Sequence, residues 1–316
     1  MNRDSAAPDD AAAPRVLLLG ASGRLGTALT DEFTRRGRAP GTTSDVRLVA
    51  PARAELALDP SRPLAATRGW FERWQPRIVV NCIAMSDVDR CERETRAARE
   101  LNADLPGALA RAARERGAHL IHFSTDFVFD GTLRRPYRED DAPNPLSVYG
   151  STKLAGETAI EAEKGSHWIF RVSWLYGGPH RNLAAVLLDA SNAGRNIALA
   201  DDRVGVPNPV ALIAREVAEA IGRVRDAKAT VESGVYHLSC HGATTWYEFG
   251  RAFVACAIAS GRIAAERAPR IEAFAETPSG RPARRPAWSV LDSSRYESAF
   301  GRILPSWRDA IAFALQ

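Results

Sequence analysis

Cysteine is scarce in this chain of 316 residues: there are four, Cys82, Cys91, Cys240 and Cys256, and no two of them form a C-x-x-C pair. That excludes a small disulfide-built secreted domain and points to reduced thiols in a cytoplasmic protein with no metal site. Long apolar runs are missing too. None approaches the roughly 20 residues needed to span a bilayer, so no membrane partner is expected. The first fourteen residues, MNRDSAAPDDAAAP, carry Asp4, Asp9 and Asp10 and no apolar core; they are expected to be a disordered tail and not a signal peptide. The net charge of +4 is mild and spread out, with no dense Lys/Arg block, which excludes a nucleic-acid or membrane-surface patch while favouring an anionic small molecule. Internal repeats are absent as well. What remains, 45% hydrophobic and 25% charged, is the composition of an ordinary soluble enzyme with ample length for a core.

The first structured stretch is RVLLLGASGRLG, Arg15 to Gly26. A fully apolar strand running into glycines at 20, 23 and 26 implies a buried parallel sheet. It also implies a tight turn whose backbone approaches a pyrophosphate at a helix N-terminus. The spacing is G-x-x-G-x-x-G, and dinucleotide binding is the expectation. A helix over Thr27–Arg36 and a strand over Val46–Ala50 follow. At the end of that strand an NAD site usually carries an acid; here stands Pro51-Ala52-Arg53. Arg53 either meets a 2′-phosphate, favouring NADPH with NADH also possible, or is simply solvated. Asp59 is either an adenine-pocket residue or a helix N-cap.

Further along, the strand 76–81 ends in NCIAMSDVD, and the strand His119–Phe123 ends in Ser124-Thr125-Asp126. Ligands lie at such carboxyl ends. Ala84 leaves room for a nicotinamide ribose, with Ser86 and Val88 in the loop beyond. One helix is expected over Glu94–Arg116. His119 and His122, lacking ligand partners at useful spacing, read as structural. In PNPLSVYGSTKLAGE, Tyr149 and Lys153 stand four apart and so share one helix face. A phenol has a pKa of about 10, and a neighbouring cation is what brings its phenolate within reach at neutral pH. With the Thr125 hydroxyl meeting them over one cofactor, these groups make a proton-transfer site.

The β-α alternation from 15 to about 176 predicts a doubly wound α/β sheet. Beyond it come a strand Trp168–Ser173, a helix Leu183–Ala193, a crossing loop ALADDRVGVPNP and a helix Val210–Val224. A strand Gly234–Ser239, a helix Thr245–Ser260 and a final helix Trp307–Leu315 complete the chain, with the Pro- and Arg-rich 277–288 as a substrate-side loop. The expected division is a dinucleotide-binding domain from 15–179 plus about 203–240, and a smaller substrate domain from about 180–202 plus 241–316.

GASGRLG, FSTDFVFDG, RPYREDDAPNPLSVYGSTKLAGE, VSWLYG, GVYHLS and RPARRPAWSVLD occur in that order. With them the chain resembles the extended short-chain dehydrogenases/reductases, and within these the dTDP-4-dehydrorhamnose reductase family, from about Arg15 to Phe313. The resemblance implies a Rossmann-type cofactor domain with a C-terminal substrate domain. It implies NAD(P)H-dependent reduction of the 4-keto group of a nucleotide-linked 6-deoxy-4-keto-hexose, dTDP-4-dehydrorhamnose to dTDP-rhamnose, for surface polysaccharide supply. It places the catalytic set on Thr125, Tyr149 and Lys153. The cofactor loop falls on Gly20, Ser22, Gly23, Arg24, Leu25 and Gly26, with Ile83 and Ala84 beside the cofactor. Sugar contacts fall on Ser86, Val88, Asp126 and Trp174, the last of which presents a flat apolar face or packs into the core. A homodimer is compatible with it. Where the family often has D-Q-x-G-x-P-T, this chain has Asp202-Arg203-Val204-Gly205-Val206-Pro207-Asn208, which leaves the sugar and the base open.

In the implied chemistry hydride passes to the sugar C4, Tyr149 protonates the oxygen as general acid, and Thr125 donates a hydrogen bond to it. Lys153 lowers the Tyr149 pKa and holds the nicotinamide ribose. The rivals are a reductase of another nucleotide-linked 4-keto sugar or a keto-heptose, a non-catalytic regulatory homologue, and an epimerase or dehydratase. A dehydratase wants an acid pair after the catalytic hydroxyl; here Asp126 is followed by Phe127.

Overall fold

The computed structural model describes residues 13–37, 46–56, 63–225, 231–277 and 280–315. Six strands form one sheet: β1 Arg15–Leu19, β2 Arg47–Val49, β3 Ile78–Asn81, β4 His119–Thr125, β5 His167–Val172 and β6 Gly234–His237. Their spatial order is β2-β1-β3-β4-β5-β6, and every neighbouring pair is parallel. All-parallel pairing requires both faces to be covered, and the sequence shows how. Val16 and Leu18 of β1 point to one face, and Leu17 and Leu19 to the other, all fully buried. On the first face lie the helices Arg24–Gly37 and Val210–Arg225, joined there by Tyr296, Phe300 and Leu304 from near the C-terminus. On the second lie the helices Pro63–Trp74 and Leu105–Arg116.

The chain leaves β1 for β2 on one side and returns to β3 on the other. The carboxyl ends of β1 and β3 therefore flank a switch point, where a crevice opens between the two connections. Gly20 stands at its base with φ +78, and a Cβ there would lie 2.9 Å from the Cys82 carbonyl carbon. Only glycine permits that contact between the two loops.

Several elements differ in extent from the sequence reading. The first helix begins at Arg24, and β4 extends through Ser124 and Thr125. The helix expected over Glu94–Arg116 is broken into Thr95–Arg99, a π-helical turn Glu100–Asp104, and Leu105–Arg116. Pro106 explains the irregularity, since it has no N–H to offer the carbonyl four residues back, that of Asn102. The freed Asn102 carbonyl instead lies against Gly156 of helix Val148–Ala162, so closely that any Cβ there would collide with it.

The remaining segments make a second core around Tyr176, Phe249, Phe253 and Trp307. A parallel strand pair, Ile197–Ala200 with Ile271–Phe274, packs against helix Trp246–Ala259, and neither strand is evident in the sequence. The final helix is also shorter than expected: a single 3-10 turn at Asp309–Ile311 runs into Ala312–Leu315. No helix among the described residues is long and apolar enough to cross a membrane.

Candidate active site

Two cavities meet at the switch point. One, of about 650 Å³, is lined by Gly20, Ser22, Gly23, Pro51, Arg53, Ile83, Ala84 and Arg90 among others. The second, of about 780 Å³, takes in Gly23, Arg24, Leu25, Ile83 and Ala84 and continues past Thr125, Asp126, Tyr149 and Lys153 to Trp174. They share Gly23, Cys82, Ile83 and Ala84, so they form one continuous trough over the end of β1.

The three glycines of the turn have separate duties. Gly26 is buried in the helix, and a Cβ on it would run into the Gly20 carbonyl; its need is packing, and it does not line the trough. Gly23 is exposed, and a Cβ there would meet only the Gly20 oxygen at 3.3 Å. Its open side is the cradle a pyrophosphate requires, at the start of helix Arg24–Gly37, whose first residues Arg24 and Leu25 line the trough. Arg24 lines the trough, but its guanidinium is spent on backbone, donating to the carbonyls of Leu175 and Arg181 at 2.9 Å each. It ties the turn to the loop after β5 instead of reaching freely for phosphate. Asp59 lies outside the described residues.

On the other side of the trough stands helix Val148–Ala162. Ser147 caps it, accepting from the Gly150 N–H, and Glu92 accepts from the Val148 N–H. Gly150 presses on the Phe127 carbonyl, which seats the helix against the end of β4. Tyr149, Lys153 and Glu157 then fall on one face. Glu157 is fully engaged by Arg171 of β5, in a buried bidentate pair at 2.7 and 3.0 Å.

Thr125, Asp126 and Tyr149 line one stretch of the larger cavity. The Thr125 hydroxyl donates to Asp126 Oδ1 at 3.0 Å and accepts from the Phe127 N–H. Asp126 is buried, and burial raises its pKa to about 6 against the opposing Ser289 and Thr125 hydroxyls. Burial also raises the Tyr149 phenol, with the facing Thr125 hydroxyl opposing the rise. Here the sequence reading needs correcting, because Lys153 does not lower Tyr149 in this arrangement. Its amine is drawn back onto β4, donating to the Phe123 carbonyl at 2.6 Å with His122 Nε2 3.0 Å away. The Phe123 carbonyl of β4, and not the phenol, is the acceptor it donates to.

Ser86 is exposed and Val88 half-buried on the rim of the same cavity. Trp174 is held at φ +41, unusual for a bulky residue. It is stacked on Trp246, with ring centroids 3.8 Å apart and planes at 11°. Its indole lies over Gly205, where no larger residue fits. Past the two tryptophans a third cavity, of about 570 Å³, holds Arg203, Arg281, Arg285 and Glu276. The departures in the 202–208 segment separate there. Arg203 borders this outer cavity and donates to the Arg285 carbonyl. Asn208 is a buried hub that donates to Ser173 and Val206 carbonyls and accepts from the Cys240 N–H.

Other residues of the site escaped the sequence reading. Asn102, freed by the π turn, accepts from the Met85 N–H at 2.8 Å and donates to the Met85 carbonyl and Thr152 hydroxyl. It thereby pins the loop after β3 to the Tyr149 helix. A polar residue four positions before a proline inside a helical stretch is the available signal. Asn81, His122 and Trp246 had none.

The sheet order, the glycine cradle and the Thr–Tyr–Lys set at the carboxyl edge define the class: a dinucleotide-binding oxidoreductase of the short-chain dehydrogenase type. A family model described as the RmlD substrate binding domain matches residues 14–316, and the chain belongs to that family. It is 35% identical over 292 residues to dTDP-4-dehydrorhamnose reductase of Salmonella typhimurium, covering 92% of this chain and 94% of the relative. To the protein of the same name from Streptomyces griseus it is 37% identical over 299 residues, covering 94% and 92%. Among solved structures, a dTDP-4-dehydrorhamnose reductase from Clostridium acetobutylicum superposes with a TM-score of 0.80 at 29% identity, covering 95% of this chain and 98% of that one.

Proposed function

We propose that the protein reduces the 4-keto group of a nucleotide-linked 6-deoxy-4-keto-hexose, dTDP-4-dehydrorhamnose first among them, with NADPH as donor and NADH as an alternative. The observation that carries this reading is one trough in which the glycine cradle, the Thr125–Asp126–Tyr149 cluster and an outer arginine-lined cavity follow one another. When bound, the reduced nicotinamide supplies the hydride. The protein's part is positional and electrostatic. Gly23 and the N-terminus of the first helix hold the diphosphate, Ile83 and Ala84 border the nicotinamide end, and Arg53 stands where no acid repels a 2′-phosphate.

Tyr149 is a full phenol at neutral pH, the form a general acid must have to protonate the oxygen as charge develops on it. Thr125 turns its hydroxyl from Asp126 toward that oxygen, while the Asp126 carboxyl takes a sugar hydroxyl. Trp174 offers the sugar a flat face, and Arg203, Arg281 and Arg285 face the diphosphate and base. We read residues 15–179 with about 203–240 as the cofactor lobe, and the remainder as the substrate lobe, with Ser294–Phe300 leaning on the former; a homodimer is part of the same reading.

The test is turnover: purified protein, NADPH and dTDP-4-dehydrorhamnose, followed by loss of NADPH absorbance and by identifying the sugar product. The UDP- and GDP-linked 4-keto sugars run alongside, because Arg203 replaces the family's glutamine in the outer cavity. Cofactor binding without oxidation on any of them would leave a regulatory homologue.

A further inference from the structure

His122 reads in sequence as a structural histidine, yet it lies between the two groups that fix the state of Lys153. Its Nδ1 is 3.1 Å from Asn81 Nδ2, and its Nε2 is 3.0 Å from Lys153 Nζ. The polarity of this chain follows from one unambiguous donor. The Ile83 backbone N–H donates to Asn81 Oδ1 at 3.0 Å, so the amide oxygen is committed there and the amide nitrogen is what faces His122. That nitrogen donates, and His122 Nδ1 therefore accepts. A neutral imidazole that accepts at Nδ1 carries its proton on Nε2, pointed at Lys153. An ammonium has no lone pair with which to answer an N–H. An amine has one, and keeps hydrogens to donate to the Phe123 carbonyl at 2.6 Å.

We propose that Asn81 and His122 form a positioning device that favours the uncharged amine form of Lys153, drawn back onto β4, until a ligand in the trough offers it other partners.

The surroundings agree. Burial holds His122 well below the ordinary histidine range, so it is no imidazolium, and burial lowers Lys153 to about 8, with Glu157 and Cys82 opposing. The charged and titratable groups around the amine are few. Glu157, one turn along the same helix, is already occupied by Arg171 of β5. Cys82, past β3, has its thiol pushed up by burial and stays neutral. Tyr149, one turn back, is likewise a neutral phenol. Asp126, at the end of β4, is turned toward Thr125. None of them supplies the hydrogen-bonded anion that a buried ammonium requires.

The composition makes this directly measurable, since the chain contains three lysines, Lys153, Lys164 and Lys228, and six histidines. With lysine and histidine isotopically labelled and no cofactor added, NMR is expected to show His122 as the Nε2–H tautomer. Lys153 is expected to titrate near 8, clearly below the ordinary lysine value of about 10.4. In His122→Gln an amide oxygen can take the Nε2 place and accept from an ammonium, so the Lys153 titration should move up while the fold persists. A merely structural histidine would leave that titration where it was. An Nδ1–H tautomer, or a Lys153 that titrates at the ordinary lysine value of about 10.4 in the wild-type protein, overturns the proposal whether or not the variant folds. The measurement is made without substrate, so it stands or falls separately from the reductase reading.

Discussion

The two walls of the central trough are built by different means. The inner wall comes from the carboxyl ends of β1, β3 and β4 and the helix Val148–Ala162, and it is fixed by backbone contacts and short buried bonds. Gly20 touches Cys82, Gly26 touches Gly20, and Gly156 touches Asn102, with Asn81, Asn102 and Lys153 bonded inward. The outer wall is loop, held by side chains reaching far along the chain. Asp202 accepts from the Glu276 and Thr277 N–H groups. Asp89, at the start of helix Val88–Arg93, grips Arg285 at 2.8 Å and accepts from the Ala283 N–H. The inner wall has almost no freedom to vary without losing the fold, and the outer wall can exchange residues so long as its ties are kept. Fixed chemistry with an adjustable substrate follows from that division.

The largest effect should come from the inner wall's proton donor. Tyr149→Phe leaves the ring and its edge contact with Phe127 (5.8 Å between centroids, 74°) in place and removes only the hydroxyl. A loss of about 10²–10⁴-fold in kcat is expected, with NADPH affinity by fluorescence titration nearly unchanged. Near-normal turnover would mean that the proton comes from elsewhere, and Asp126 would be the group to test next.

Next come the glycines, which separate packing from ligand contact within a single turn. Gly26→Ala places a methyl on the Gly20 carbonyl and should cost about 1–3 kcal/mol or more as an overpacked site, read as a lowered melting temperature. Gly23→Val meets only one oxygen at 3.3 Å and should stay folded. Its side chain enters the cradle, however, and dinucleotide affinity should fall by more than about tenfold, or 1.4 kcal/mol. A folded Gly23→Val protein with full affinity would remove this turn from the cofactor site.

This contrast also shows what the sequence makes legible. Gly20, Gly23, Gly26, Thr125, Tyr149 and Lys153 are readable because each motif lies within one turn, strand end or helix face, where local geometry fixes where the residues stand, though not what Lys153 bonds to. Asn81, His122, Asn102 and Trp246 are not, because each acts on a partner that only folding brings near. The strand pair Ile197–Ala200 and Ile271–Phe274 is hidden for the same reason: four-residue strands carry too little alternation, and their partners lie far apart in the chain. The 202–208 segment shows both cases. Its departure from the family pattern is visible in sequence, but only the fold sends Arg203 to the outer cavity and Asn208 into the core.

On the outer wall, Asp89→Ala cuts the tie to Arg285 without touching the inner site. Both partners are partly exposed, with side chains 24% and 16% accessible, so the loss should be about 1 kcal/mol. The expected signature is a rise in KM of about fivefold for the sugar nucleotide, with kcat little changed. The pair also has a pH signature. The Arg285 guanidinium beside Asp89 holds its carboxyl below the usual value, so the tie is intact above the unfolded value of about 3.9 and weakens as pH falls through the lowered one. An equal drop in kcat and kcat/KM would place Asp89 in the chemistry and break the division between the walls.

The smallest effect is expected at Arg53, where the inner trough relies on an exposed side chain. Arg53 starts the short helix Arg53–Leu56 and lines the cavity that also holds Ser22 and Pro51. Ala52 occupies the position where an acid would repel a 2′-phosphate, and its N–H is capped by Glu55 Oε2 at 2.8 Å, so that carboxylate is turned toward backbone. Permission for NADPH thus comes mainly from a missing repulsion, and Arg53 adds attraction on top of it. An exposed charge contact is worth at most about 1 kcal/mol, so Arg53→Ala should weaken NADPH by no more than about fivefold and leave NADH unchanged. Ala52→Asp should do the opposite and more strongly, turning preference toward NADH. If Arg53→Ala weakens both cofactors equally, the residue supports the turn and reads no phosphate. If it abolishes NADPH use, cofactor choice rests on one side chain, and the inner wall is less thoroughly fixed by backbone than its other contacts imply.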